Sequence, residues 1–275
     1  MITSRVVDRL CVVSGVLSMA IGVSLACGQG AAPAAPDAAA NVDAARSEST
    51  AAAFRRIWEG PNSDVFDNDF LRASLRDEPT WQPDATAAAQ LERAQVDIEA
   101  ILKLVKQAPA DWEIQTKEQG FDAKVPHWTR LATTGRVLFA DARRLMARGN
   151  AGDDAAAAAR LGAMVELSRH FSNDRLVGSV VAGRRDAAMG LFEIHRVAKA
   201  GKLAEASRKM LLEAVKPLDN TDPLDMRGAI ANESMITREW TRKICKGPDA
   251  ARVFITKFAP KATAEELARS GVQQM

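Results

Sequence analysis

Tyrosine is absent, and aromatic residues make up only 5% of the 275-residue chain. A core with so few large flat side chains is filled by aliphatic and small residues. Much of the apolar content is alanine, which favours helix over strand, and no convincing alternating run demands a sheet. Cysteine is scarce, with 3 in the chain. Cys11 lies in the N-terminal leader and Cys27 at its cut, which leaves Cys245 alone. An internal disulfide framework is therefore excluded, and no CxxC or Cys/His pairing suggests zinc. An excess of one charge is also missing: 37 basic against 35 acidic residues leave +2. That is too balanced to imply nucleic acid. There is no P-loop, no glycine pattern for nucleotides between strand and helix, no GxSxG and no HExxH. No cofactor or metal is implied.

What is present is helical periodicity. From Val125 to Gly201 the chain reads as three consecutive helices. In the first, Trp128, Leu131, Ala132, Gly135, Leu138, Phe139, Ala142, Leu145 and Met146 recur at three- and four-residue spacing, one stripe of a helix. Pro126 suits the first turn and Gly149 a left-handed C-cap. Arg130, Arg136, Asp141, Arg143 and Arg144 fall opposite the stripe and read as a solvated face. Asp153 and Asp154 offer N-cap oxygens to the second helix, which carries Ala158, Leu161, Met164, Val165 and Phe171. The third follows Asn173-Asp174 with Leu176, Val180, Val181, Ala187, Leu191, Ile194 and Ala198, and ends at Gly201. Gly178, Gly183 and Gly190 allow close approach between helices.

Ahead of this core, a helix is expected over about 44–58, ended by Gly60-Pro61. A second, strongly periodic one follows Asp84 and runs from about Ala85 to Gln107. After it, a helix is expected from about Leu203 to Val215, through Ala206, Met210 and Leu211. A long one opened by Asp222-Pro223 then carries Leu224, Ile230, Ile236, Trp240 and Ile244. The whole reads as an all-α domain over 44–246, of stacked helical hairpins forming an irregular bundle or short α-solenoid. A tail over 247–275 contains one short amphipathic piece.

The N-terminus reads differently. Arg5 and Arg9 precede an apolar run from Leu10 to Ala26, the pattern of a signal peptide over 1–26. Cleavage after Ala26 would expose Cys27, which resembles a bacterial lipoprotein and makes Cys27 the lipidation candidate. The departure is Leu25, two residues before the cysteine where that motif has its leucine three before. An ordinary cleaved signal is the other reading. The Ala/Pro-rich segment 27–43 cannot bury enough surface to fold and reads as a tether. The expected location is outside the cytoplasm, in the periplasm or on a membrane through the lipid.

Several short pairs recur in an order that resembles a known group. They are Asp111-Trp112, Gly120-Phe121-Asp122, Pro126-His127, Gly152-Asp153, Leu176-Val177 and, in a variant form, Asn232-Glu233. The chain from Ala44 to Lys246 resembles uncharacterised exported helical proteins of planctomycete-type bacteria. The second core helix also looks loosely like the second helix of a tetratricopeptide unit, without the rest of that consensus. The resemblance implies helical architecture and export, and no activity.

Four residues are candidates for a ligand-binding site. His127 follows a helix-starting proline near Asp122, and a histidine beside a carboxylate can act as a base or bind a metal. The alternative is a helix-start histidine satisfied locally. Glu233 is either a buried acid or a structural partner for Arg136 or Arg184. Trp112, with Trp128, either lines a groove or lids the core. No catalytic residue is assigned. The leading expectation is a non-enzymatic scaffold or interaction protein of the envelope, with another protein or an envelope component as its partner. The rival is an envelope hydrolase or small-ligand binder around His127 and Glu233.

Overall fold

The computed structural model describes residues 48–67, 81–120, 123–201 and 203–244. Of the interpretable region 74% is helical and none is strand, so the fold is all-α. Before the core come α1 (Thr50–Trp58), a 3-10 turn at Ser63–Phe66, α2 (Ala85–Arg93), α3 (Gln95–Leu104) and a single turn α4 (Thr116–Gln119). The core helices are α5 (His127–Arg148), α6 (Asp153–Ser172) and α7 (Val177–Lys199). Helices α8 (Glu205–Val215) and α9 (Met226–Ile244) complete the described chain. The segments read from the sequence as signal and tether, together with Cys27, Asp122, Cys245 and the expected tail, lie outside the described residues.

Helix α6 is buried around most of its circumference: Ala157, Ala158, Leu161, Ala163, Met164, Val165, Leu167 and Phe171 are inside, and only a stripe with Ala155 and Arg169 is exposed. Short turns at 149–152 and 173–176 fold α5 and α7 back against it, and α8 returns to it rather than extending a stack. The arrangement is a bundle around one helix. Small residues permit the crossings. A methyl added at Gly183 would come within 2.9 Å of the Ser168 carbonyl and 3.1 Å of Phe171 Cβ, so only glycine lets α7 lie this close to α6. A second, smaller apolar cluster of Val180, Leu224 and Ala229 joins α7 to α9.

Many ends follow local chemistry. Ser49 Oγ accepts the Ala52 N–H at 3.2 Å and starts α1 at Thr50, later than periodicity alone suggests. Asp84 caps α2 through Ala87 N at 2.8 Å, and Gly149 closes α5 at φ 68°. Other ends depart from expectation. The helix expected over 85–107 breaks at Ala94, where the side-chain amide of Gln95 donates to the Leu91 carbonyl at 2.9 Å. Helix α9 begins only at Met226, because Asp225 adopts φ 52°; the Asp222 carboxylate then accepts from Met226 N and Arg227 N at 2.9 and 2.8 Å. Gly152, not an aspartate, is the N-cap of α6. Asp154 instead reaches the start of α8, accepting from Ala204 N and Ser207 Oγ at 3.1 and 2.9 Å.

The expected solvated face of α5 is largely internal. Asp141 and Arg143 are buried, because α2, α3 and α7 cover this side of the helix. Asp141 accepts from Arg160 Nε and Arg144 Nε, each at 2.8 Å, and from Gln95 at 3.1 Å. Arg160 continues to Glu99 at 2.7 Å. Arg143 forms a two-pronged pair with Glu193 of α7, at 3.1 and 2.9 Å, and donates to the Trp81 carbonyl at 2.7 Å. Burial works against charge on Glu193, but hydrogen bonds from Arg196 and Arg143 together outweigh it and hold its pKa below the ordinary value. Conversely, Val181, Met210 and Ile230, assigned to apolar stripes by spacing, point outward; the faces of α7, α8 and α9 that are covered are those carrying Val180, Leu211 and Ala229.

Because Glu193 is the buried partner of a buried guanidinium, Glu193→Ala should cost about 3–5 kcal/mol in urea unfolding. Glu92→Ala, which removes only an exposed partner of Arg144, should cost no more than about 1 kcal/mol.

Candidate functional site

The turn between α6 and α7 gathers three of the four candidate ligand residues or their contacts. Pro126 occupies the N-cap position of α5 and places His127 as its first residue. His127 is buried, and its Nε2 lies 3.2 Å from Asp174 Oδ2, itself buried. The same carboxylate accepts from Trp128 Nε1 at 3.3 Å and from Ser179 Oγ, while its Oδ1 accepts the Leu176 N–H at 3.0 Å. Asp174 therefore ties the first turn of α5 to the first turn of α7. Its lone pairs are committed to these four donors.

Trp112 lies flat on the His127 ring, with centroids 4.6 Å apart and an interplanar angle of 7°. Its other face stacks on Trp58 at 5.7 Å, and Trp58 on Phe54 at 5.4 Å. The column is core, and its polar atoms are satisfied. Trp112 Nε1 donates to the His170 carbonyl at 2.7 Å and Trp58 Nε1 to Thr134 Oγ1 at 3.0 Å. His170 below it accepts the Ala110 N–H on Nδ1 at 3.1 Å, which places its own proton on Nε2, 3.2 Å from the Val105 carbonyl. Burial pushes its pKa down to about 4, so this ring is a neutral spacer between backbone groups.

Glu233 meets a backbone amide rather than Arg184. Its Oε1 accepts the N–H of Val177, the first residue of α7, at 2.7 Å. A carboxylate there satisfies an open amide and favours the positive end of the helix dipole. Arg184 pairs instead with Asp222, at 3.0 Å. Beside Glu233, Asn232 donates to the carbonyl of Arg175 at 3.0 Å; Arg175 sits at φ 53°, a left-handed conformation that costs energy for a residue with a side chain. Asn173 reaches back to the Ala110 carbonyl at 3.0 Å. The Asn232-Glu233 pair thus clamps the same turn that His127 and Trp128 hold from the other helix.

His127 and Glu233 consequently act on neighbouring parts of one turn, His127 on the Asp174 side chain and Glu233 on the Val177 amide. Spacing in the sequence did not single out Asp174, which was visible only as a helix break. The signal that it caps the next helix is its place two residues before Leu176.

No family model, curated protein or solved structure matches this chain. The chemistry available is then what the contacts themselves allow. Ser179 donates to Asp174 rather than to the imidazole, so no hydroxyl nucleophile is set on the ring. The arrangement holds three helix ends together.

His127→Ala should therefore lower stability by about 1–3 kcal/mol, through the lost ring stack and the bond to Asp174. Thermal and urea unfolding would show it. An unchanged stability with loss of a ligand or of an activity would reverse the assignment.

Proposed function

We propose that the protein is a non-enzymatic, exported helical scaffold that binds another protein or an envelope component through its outer helix faces. The observation that carries this reading is apolar exposure on α7 and α9. Phe192 is 59% exposed and Val181 42%, and on α9 Ile230 is 54% and Met235 47% exposed. Along α7 the residues Val181, Arg185, Ala188, Phe192, His195 and Lys199 are all exposed. Their alternating four- and three-residue steps form a straight seam, the geometry that accepts another helix. It contains basic and apolar residues and no carboxylate.

Export rests on the leader and tether read in residues 1–43 and on the resemblance to exported planctomycete-type proteins. Attachment through a lipid on Cys27 belongs to the same proposal. Among the described residues no helix is long and apolar enough to cross a membrane. The rival, a hydrolase or ligand binder at His127 and Glu233, is less well supported. Its carboxylates are engaged by Trp128, Ser179, Leu176 and Val177, and its histidine is covered by Trp112.

A photo-crosslinking residue placed in living cells at position 192 or 230 tests the scaffold reading. Adducts with one discrete envelope component, lost when Arg185 and Lys199 are reversed in charge, are the expected result for position 192. No adduct from either position removes the interaction role. Hydrolysis of an envelope polymer by the purified protein, abolished in His127→Ala, would establish the rival.

A further inference from the structure

Helix α7 carries one buried acid that none of these contacts uses. Asp186 is 6% exposed, and its Oδ2 has no hydrogen-bond partner. It faces α5 at the one place where that helix has no side chain: a methyl on Gly135 would lie 2.7 Å from Oδ2, with Leu167 of α6 next at 3.7 Å. The contrast with the other buried acids is sharp. Asp141 and Glu193 each receive guanidinium hydrogen bonds, whereas Asp186 Oδ2 receives none. The charged groups acting on Asp186 are Arg136 from α5 and Arg185 from its own helix, both through space; α6 presents Leu167.

We propose that Asp186 makes the α5–α7 crossing proton-dependent: with the carboxyl neutral α7 lies fully against Gly135, and with the proton gone the crossing loosens. A neutral carboxyl tolerates an apolar seam far better than an anion, whose burial without a partner is costly. Burial holds the group up at about 8 despite the opposing influence of Arg136 and Arg185. Since this lies above the ordinary 3.8, the native state keeps a proton that an opened state releases. The stability contributed by the neutral form is complete below about pH 4. It is lost as pH rises to about 8 and is level beyond, where both states are ionised.

Hydrogen exchange of the full-length protein between pH 5 and pH 9, expressed as protection factors so that intrinsic exchange cancels, tests this directly. Amides in the central turns of α5 and α7 should lose protection by on the order of tenfold per pH unit up to about pH 8 and then level off. Asp186→Asn should flatten that profile, and Asp186→Leu should do the same if the amide variant fails to fold. A flat profile in the unmodified protein, or an unchanged slope in either variant, overturns the proposal.

Discussion

Asp174 is the residue on which the relative placement of the core helices depends. A tight turn between two long helices exposes the last carbonyls of one and the first amides of the next, and these groups must find partners once buried. Here Asp174 takes the Leu176 amide and the Ser179 hydroxyl of its own side, and the rings of His127 and Trp128 from α5. Glu233 takes the Val177 amide and Asn232 the strained Arg175 carbonyl. One carboxylate and one Asn-Glu pair thereby bind the starts of α5 and α7 and the middle of α9. The short pairs Asp111-Trp112, Pro126-His127, Leu176-Val177 and Asn232-Glu233 converge on or beside this turn.

The second constraint comes from α6. Most of α6 is covered by other helices, and its Arg160, which lies inside, is neutralised there by Asp141; Arg143 of α5 is neutralised by Glu193 of α7. Such pairs add less to stability than their geometry suggests, since two charges must first be desolvated. What they supply is a preference for one register. Sliding α7 by a turn would part Arg143 from Glu193, which would keep only Arg196 of its own helix. Asp186 is the exception that shows the rule. Among the described residues nothing hydrogen-bonds its Oδ2; the opposing side chain is absent at Gly135, and burial pushes its pKa up to about 8.

The helices themselves were legible in the sequence. Periodicity, Asp84 as a cap, and Gly149 and Gly201 as terminators are local signals, and local geometry decides them. Less legible was the direction each face takes. On α5 the charged residues looked solvated because they lie opposite the apolar stripe, yet α2, α3 and α7 close over that side. Ile230 and Val181 look like core residues by type, yet the helices roll so that Ala229 and Val180 are covered instead. A helix wheel shows which residues share a face but not how many faces other helices will cover.

The sequence by itself therefore determined the class of fold, the three core helices and several helix ends, because those depend on residues within a few positions of one another. Tertiary structure alone decided which charges are paired and which acid is left unpartnered. Arg143 and Glu193 are 50 positions apart, and Glu233 lies 56 from the amide it caps. Partners so distant leave no trace in spacing. They meet only after the helices have packed, and it is burial on every side that gives their meeting its energetic weight.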